Sequence, residues 1–226
     1  MDTDNGGTRT MEKKGKVIAE KYITVSCTIS KNCVCKNDIK VFENRDTDIA
    51  AFLVSLYHDL KLNYPKFYKM DNLSKLGLLA VEILLKDNFN PERYKPEEVG
   101  VVLANANSSL DDDIKYYESV KDVPSPSLFV YTLPNIVIGE ICIRNNFKGE
   151  HAFFVMDSFD TDFIAQQVNY LMDNNILEAC LCGWVDVFEK EYKATLFLVE
   201  KEQRERSVLF SGVNMDSIFG NDWGNI

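Results

Sequence analysis

Histidine is nearly absent from this sequence, which has only His58 and His151 among 226 residues. Mechanisms that need an imidazole base are therefore restricted to two positions. Basic residues are also outnumbered, with 25 Lys and Arg against 35 Asp and Glu and a formal net charge of −10. Such an acidic chain is poorly suited to binding nucleic acid or an anionic membrane surface. No apolar run approaches the roughly 20 residues of a membrane span, and the N-terminus lacks the apolar core of a signal peptide.

The sequence also lacks a cysteine pattern typical of a metal site. Cys27, Cys33 and Cys35 are the closest group of three among the six cysteines, but their spacing matches no zinc template and neither histidine is near them. Two others, Cys142 and Cys180, lie in apolar runs. We therefore expect buried, reduced thiols in a cytoplasmic protein, with no metal and no other cofactor.

What the sequence does contain is a long alternation of strand-like and helix-like segments. Hydrophobic residues make up 46% of the chain, which is enough for a sizeable core. We expect a folded domain at 16–201, between a flexible tail at 1–15 and a C-terminal tail at 202–226. The continuous apolar run Val99–Ala104 is typical of a central strand covered on both faces. Together these segments predict an α/β protein with a mixed, mainly parallel sheet.

Several boundaries follow from local composition. Asp71 is placed to cap a buried helix, and Ser109 begins another helix whose acidic run Asp111–Asp113 suits the positive helix end and is expected to be solvated. A charged turn at Glu189–Lys193 joins the last two predicted strands, so we expect their hairpin to add an antiparallel strand at one sheet edge. The predicted strands are Val17–Cys27, Ile39–Phe42, Val99–Ala104, Ala152–Met156, Leu177–Trp184 and Ala194–Glu200.

Polar and small residues at the predicted strand ends have two interpretations. Asn105 and Asn107 follow the central strand and could line a pocket, but turn formation explains them equally well. Gly183 and Trp184 are expected to form a tight bend and a packing anchor. None of these residues alone defines a chemistry.

Four segments, taken in order, carry a family resemblance. They are Lys69–Leu85 with its Met-Asp helix start, Gly100–Asp111, Thr132–Gly149 with Leu-Pro-Asn, Gly and Ile-Arg, and Ala179–Val187. This order resembles the N-terminal half of a β-ketoacyl synthase of the thiolase-like fold, and the third segment is the most specific. The resemblance covers about residues 69–200. It implies a three-layer α/β/α half of that fold.

The chain differs from the family at the positions of the family's catalytic residues. A nucleophilic cysteine lies between a strand and a helix in the family, and here Ser158 takes its place. The family's two catalytic histidines and its lysine lie in a C-terminal half for which this chain has no positions. Serine needs an adjacent base, yet His151 lies about 23 Å away along an extended strand. We therefore expect Ser158 to cap the following helix rather than to act as a nucleophile.

Three functions remain open. The resemblance implies a non-catalytic ketosynthase-like subunit in fatty-acid or polyketide-type (for example polyene) synthesis, in a homodimer or in a heterodimer with a ketosynthase, with acyl carrier protein as a further partner. The second function is a half-size acyltransferase or hydrolase that uses Ser158 with a base from a partner chain. The third is a pure interaction module. In the family the strand before the nucleophile pairs across the dimer, so His151–Met156 is expected to be a dimer-edge strand.

The helix predicted after Ser158 carries a polar stripe. Asp162, Gln166, Asn169 and Asp173 recur at spacings that place them on one side of a helix. In a complete ketosynthase this helix is buried between the two halves. An exposed stripe would therefore indicate that this chain folds as a single half.

Overall fold

The computed structural model describes residues 19–221, which form one sheet with helices packed on both of its faces. The tail predicted at 1–15 lies outside the described residues. The strands are β1 (Tyr22–Ser30), β2 (Cys33–Lys36), β3 (Ile39–Glu43), β4 (Val99–Asn105), β5 (His151–Val155), β6 (Ala179–Phe188), β7 (Glu191–Glu200) and β8 (Val208–Leu209). The helices are α1 (Ile49–Asp59), α2 (Asn72–Leu85), α3 (Leu110–Val120), α4 (Pro126–Val130), α5 (Ile136–Asn145), α6 (Thr161–Asp173) and α7 (Gly212–Gly220).

The sheet runs in the order β3-β2-β1-β7-β6-β4-β5, and β8 adds a short pair to β1. Strand β4 is parallel to both of its neighbours, β5 and β6. Strand β7 is antiparallel to β6 and to β1, so β1, β4, β5 and β6 all point in the same direction. This arrangement confirms the mixed, mainly parallel α/β sheet.

Each face of the sheet has its own apolar core. One core joins α1, α2 and α5 to residues such as Val101, Leu181 and Leu196. The other joins α6 and α7 to the alternate residues of the same strands, including Val102, Cys182 and Phe197. Because successive side chains of a strand point to opposite faces, β4, β6 and β7 need apolar residues at consecutive positions to serve both cores.

The C-terminal hairpin of β6 and β7 lies inside the sheet, so the expectation that it sits at an edge was wrong. Strand β7 is hydrogen-bonded to β6 on one side and to β1 on the other. Its residues from Ala194 to Glu200 are buried on both faces. A strand of this composition needs neighbours and helical cover on both sides, and an edge position supplies neither. The apolar run in this strand could have predicted its central position from the sequence.

Within this hairpin, Gly183 permits a close approach of the two strands rather than a bend. Its φ is +142°, and a Cβ atom there would lie 2.1 Å from the carbonyl oxygen of Thr195. The adjacent Trp184 is buried, with its ring 5.7 Å from that of Phe159 and 6.3 Å from that of Phe219. Trp184 is therefore the packing anchor that the sequence indicated.

The segment after residue 201 is not a simple tail, which corrects the prediction for 202–226. It contributes β8 and α7 as far as residue 221, and the remaining residues lie outside the described range. Phe210 and Met215 are buried in the core beneath α6. Met215, Ile218 and Phe219 recur at the helical spacing i, i+3 and i+4, a periodic signal that the prediction of a tail overlooked. In the described part of the chain, no helix is long and apolar enough to cross a membrane.

Candidate functional site

The carboxyl ends of β4, β5 and β6 meet at one end of the sheet, where parallel α/β sheets most often place ligand sites. Ser158 lies there, in the short connection between β5 and α6, and its side chain is exposed. The α6 cap is Asp160, whose carboxylate accepts a hydrogen bond from the backbone N–H of Phe163 at 2.9 Å. The expectation that Ser158 caps this helix was therefore wrong.

The reason for the shifted cap is the side chain between the two candidates. Phe159 is buried and packs its ring 5.7 Å from Trp184 and 4.9 Å from Phe219. Anchoring Phe159 in the core turns the chain there and delays the helix to Thr161. Asp160 then occupies the position from which a carboxylate reaches the first-turn N–H groups.

Neither imidazole is placed to activate Ser158. His151 is exposed at the opposite end of β5. His58 is exposed on α1, in the layer on the other face of the sheet, with its ring 5.7 Å from that of Tyr57. The near neighbours of Ser158 in sequence include the exposed Asp157 and Asp160. Negative charge beside a serine opposes formation of an alkoxide, so the local electrostatics disfavour a nucleophilic role.

The turn after β4 is held by Asp186 at the end of β6. One Asp186 carboxylate oxygen accepts the backbone N–H groups of Ala106 at 3.2 Å and Asn107 at 3.0 Å, and the other accepts Asn107 Nδ2 at 2.7 Å. Asn105 closes the same turn by bonding the backbone of Ser108, whose φ is +52°. Of the two interpretations of these asparagines, the structure supports the turn. Asp186 was missed, although an acidic residue in an apolar strand is a detectable signal.

A buried carboxyl site lies where the N-termini of α2 and α3 approach each other. Asp71 caps α2 by accepting from Ser74 N at 3.0 Å and Leu73 N at 3.2 Å, as predicted. Asp112 on α3 is only 2% exposed, and within the described structure its Oδ2 has no hydrogen-bond partner. Burial, reinforced by the charge of Asp71, raises the pKa of Asp112 to about 6.

The prediction that the whole run Asp111–Asp113 is solvated was therefore wrong at its central residue. Asp111 pairs with Lys115 at 2.5 Å, and Asp113 accepts from the Ser109 hydroxyl at 3.3 Å. Successive helical residues point about 100° apart, so three consecutive side chains cannot all face solvent to the same extent. Asp112 points toward the α2 cap, where it is desolvated.

The cysteines are free thiols, and all but the half-buried Cys142 are buried, as expected. Burial raises the pKa of Cys27 and Cys180 to about 12, and that of Cys142 to about 11. Thiols with such pKa values remain protonated at neutral pH and are unreactive. Across residues 19–221, no group of His, Cys, Asp or Glu side chains could hold a metal ion.

Strand β5 is the edge strand at the far side of the sheet from β3. It pairs with β4 alone among the described strands. Residues Ala152–Phe154 are half-buried, whereas Val155 is 55% exposed. An apolar edge strand with one unpaired row of backbone groups is a template for strand addition.

The polar stripe of α6 faces water, as predicted. Asp162 and Gln166 are exposed, and Asn169 and Asp173 are half-buried, so none of the four is buried against another segment. Asp173 forms an ion pair with Lys21 at 2.6 Å. Helix α7 packs beside α6, and its first residue, Gly212, lies next to the side chain of Asp162. A Cβ atom on Gly212 would be 2.0 Å from the Asp162 carboxylate oxygen.

Comparison with known proteins identifies the fold. No family model and no curated protein sequence matches the chain. The solved ishigamide ketosynthase/chain length factor aligns over 80% of this chain and 62% of that chain, with 18% identity and a TM-score of 0.56. The ketosynthase ApeO in complex with its chain length factor ApeC from Xenorhabdus doucetiae aligns over 81% and 79%, with 12% identity and a TM-score of 0.54. A β-ketoacyl synthase from Burkholderia phymatum STM815 aligns over 81% and 59%, with 11% identity and a TM-score of 0.54.

These likenesses show that the chain has the α/β fold of the ketosynthases, a thiolase-like fold. The chain spans 62% of the length of the first of these structures. Sequence identities of 11–18% establish a shared fold and not a shared function, because one fold supports many functions. What the chain does must be argued from its own residues.

Proposed function

We propose that this chain is a non-catalytic, ketosynthase-like partner subunit of a cytoplasmic fatty-acid or polyketide-type synthesis system. The observation that carries the proposal is the exposed edge of β5, which presents an apolar strand with unpaired backbone groups. The structural neighbours include complexes of a ketosynthase with a chain length factor. The partner proposed for the β5 edge is accordingly a ketosynthase, with acyl carrier protein as a transient third component.

The surroundings of Ser158 support a role without catalysis. A decarboxylative condensation needs a nucleophile and groups that stabilise the enolate and the oxyanion. Ser158 is exposed between acidic residues, and His151 lies at the other end of β5. Five of the six cysteines are buried, and the half-buried Cys142 lies on α5. Condensation is therefore assigned to the partner.

The geometry of β5 indicates which of its groups would pair. Glu150 O and Met156 N are hydrogen-bonded to β4, at Val101 N and Asn105 O. By the two-residue period of a strand, Phe153 and Val155 direct their N–H and C=O groups to the outer edge. Addition of a partner strand there would satisfy those groups and cover the exposed Val155 side chain.

Co-purification with a full-length ketosynthase from the same organism tests the proposal. The wild-type chain is expected to elute with the ketosynthase as one species in size-exclusion chromatography with light scattering. Val155→Pro removes one outward N–H and is expected to abolish co-elution, whereas Val155→Thr keeps the backbone donor and serves as the matched control. A wild-type chain that stays separate from the ketosynthase at micromolar concentration would refute this assignment.

A further inference from the structure

Helix α3 has its apolar residues on the outside. Leu110, Ile114 and Tyr117 are 41%, 47% and 69% exposed, and their spacing places them on one side of the helix. The buried residue of this helix is a carboxylic acid, Asp112, on the opposite side. Single exposed apolar residues are ordinary on protein surfaces. A helix that turns a whole apolar stripe outward while burying an acid needs an explanation.

The apolar surface continues onto α4. The Phe129 ring lies 5.4 Å from that of Tyr116, so α4 packs against the side of α3. Phe129 is itself 59% exposed. We define the α3–α4 face as Leu110, Ile114, Tyr117, Val120 and Phe129. Contiguous apolar area of this kind on a folded chain marks an interaction surface.

The charges around the α3–α4 face indicate the chemistry of its partner. Apart from Asp112, which is buried on the opposite side, residues 111–122 contain four acidic and two basic side chains. The two lysines are already paired within the helix, Lys115 with Asp111 at 2.5 Å and Lys121 with Glu118. A second copy docked symmetrically would set this acidic rim against itself, which like-charge repulsion opposes. A rim of opposite charge is complementary.

We propose that the α3–α4 face binds an amphipathic helical segment of another protein, whose apolar stripe is bordered by Lys and Arg. The stripe from Leu110 to Val120 is about 15 Å long, which is the length of about three helical turns. Helix-on-helix docking places apolar anchors at spacings of three and four residues on both partners. The proposal is independent of the chain that pairs with β5.

The chain's own N-terminal sequence is a weaker candidate for this face. Residues 9–18 carry Arg9, Lys13, Lys14 and Lys16. However, the described chain begins near Tyr22, and Tyr22 pairs with Glu200. This pair lies at the same end of the sheet as the start of β4. Helix α3 follows the other end of β4. A segment of this chain would therefore have to run the length of the sheet before reaching the face.

Binding of two designed helical peptides to the full chain tests the proposal. Both peptides carry the same leucine stripe of matching length; one has Lys and Arg beside the stripe and the other has Glu. In fluorescence anisotropy, the basic peptide is expected to bind about tenfold or more tightly than the acidic one, and less tightly as salt rises. Equal binding of the two peptides, or no binding of the basic one, would overturn the proposal.

Variants locate the binding on the chain. Ile114→Ser combined with Tyr117→Ser is expected to weaken the basic peptide about tenfold without lowering the melting temperature. The matched control is Val213→Ser, which alters a residue on α7 that is 77% exposed, and it is expected to leave binding unchanged. Loss of a concentration-dependent dimer in the double variant would identify a second copy as the occupant and overturn the proposal. Tighter peptide binding by the double variant Lys13→Glu/Lys14→Glu would show that the chain's own N-terminus occupies the face. That result would also overturn the proposal.

Discussion

Helices α3 and α6 each follow a parallel strand of the same sheet, yet they divide their residues between core and solvent in opposite ways. Helix α6 buries Ile164, Val168 and Met172 and turns Asp162 and Gln166 to water. Helix α3 buries Asp112 and turns Ile114 to water. The first pattern is that of an amphipathic helix packed on its apolar side. The second is that of a helix whose apolar side is still uncovered.

The difference bears on the proposed function. In ketosynthases the helix corresponding to α6 is expected to be buried between two halves, but here its polar stripe is hydrated and α7 packs beside it. Asp162 and Gln166 on that side of α6 are exposed polar side chains, which need no apolar cover. Exposed apolar side chains include several on α3 and α4, and Val155 on β5. The proposed contact with a ketosynthase should be sought at the β5 edge.

A charge that replaces an apolar residue of each helix should have the most different effects on stability in the two helices. Val168→Asp puts a carboxylate at a fully buried position of α6, and we expect it to lower the free energy of unfolding by about 3–5 kcal/mol. Ile114→Asp, at the apolar but exposed position of α3, is expected to change it by less than about 0.5 kcal/mol. Urea denaturation measures both. Comparable losses in the two variants would mean that α3 is packed in solution.

Removing the buried acid of α3 should stabilise the protein at neutral pH. The pKa of Asp112 is raised from 3.8 to about 6, so the folded state holds the proton more tightly and stability falls as pH rises from about 3.8 to 6. Asp112→Asn avoids the charged form, and we expect a gain of about 1–3 kcal/mol at pH 7.5 that shrinks toward pH 4.

The matched control for this variant is Asp111→Asn on the same helix turn. It removes an ion pair with Lys115 at the surface and is expected to cost no more than about 0.5 kcal/mol. Denaturation at pH 4.5 and 7.5 distinguishes the two variants. A gain in Asp112→Asn that does not depend on pH would contradict the titration and point to packing instead.

Sequence patterns were informative where one side chain type dominates a segment. The unbroken apolar run of β4 predicted a central strand, and the polar spacing on α6 predicted its hydrated side. Asp71 was identified as a cap because it directly precedes a long apolar helix. In these segments local composition and tertiary environment agree, so the pattern suffices.

The patterns failed where tertiary contacts choose between similar residues. Asp160 rather than Ser158 caps α6 because Phe159 is anchored in the core. Asp112 is buried although its two neighbours, with the same side chain, are not. No periodicity in the sequence distinguishes these positions, since each depends on what lies across the fold.

The reassigned cap can be tested directly at the start of α6. Asp160→Ala removes the acceptor for Phe163 N, and we expect a loss of about 0.5–2 kcal/mol in the free energy of unfolding. Ser158→Ala, two residues earlier and exposed, is expected to cost less than about 0.5 kcal/mol. The reverse order of the two losses would restore Ser158 as the cap.

The smallest expected effect concerns the chemistry of Ser158. We expect the purified chain to show no condensation with malonyl and acyl thioesters, and no acyl adduct by intact-mass spectrometry, in both wild type and Ser158→Ala. The exposed hydroxyl of Ser158 has acidic neighbours in Asp157 and Asp160, and among residues 19–221 it has no imidazole base close by. An adduct on the wild type that disappears in Ser158→Ala would favour the acyltransferase or hydrolase alternative. If such an adduct formed only when a partner chain was present, the partner would be supplying the base. Pairing at the β5 edge would then complete an active site with residues from both chains.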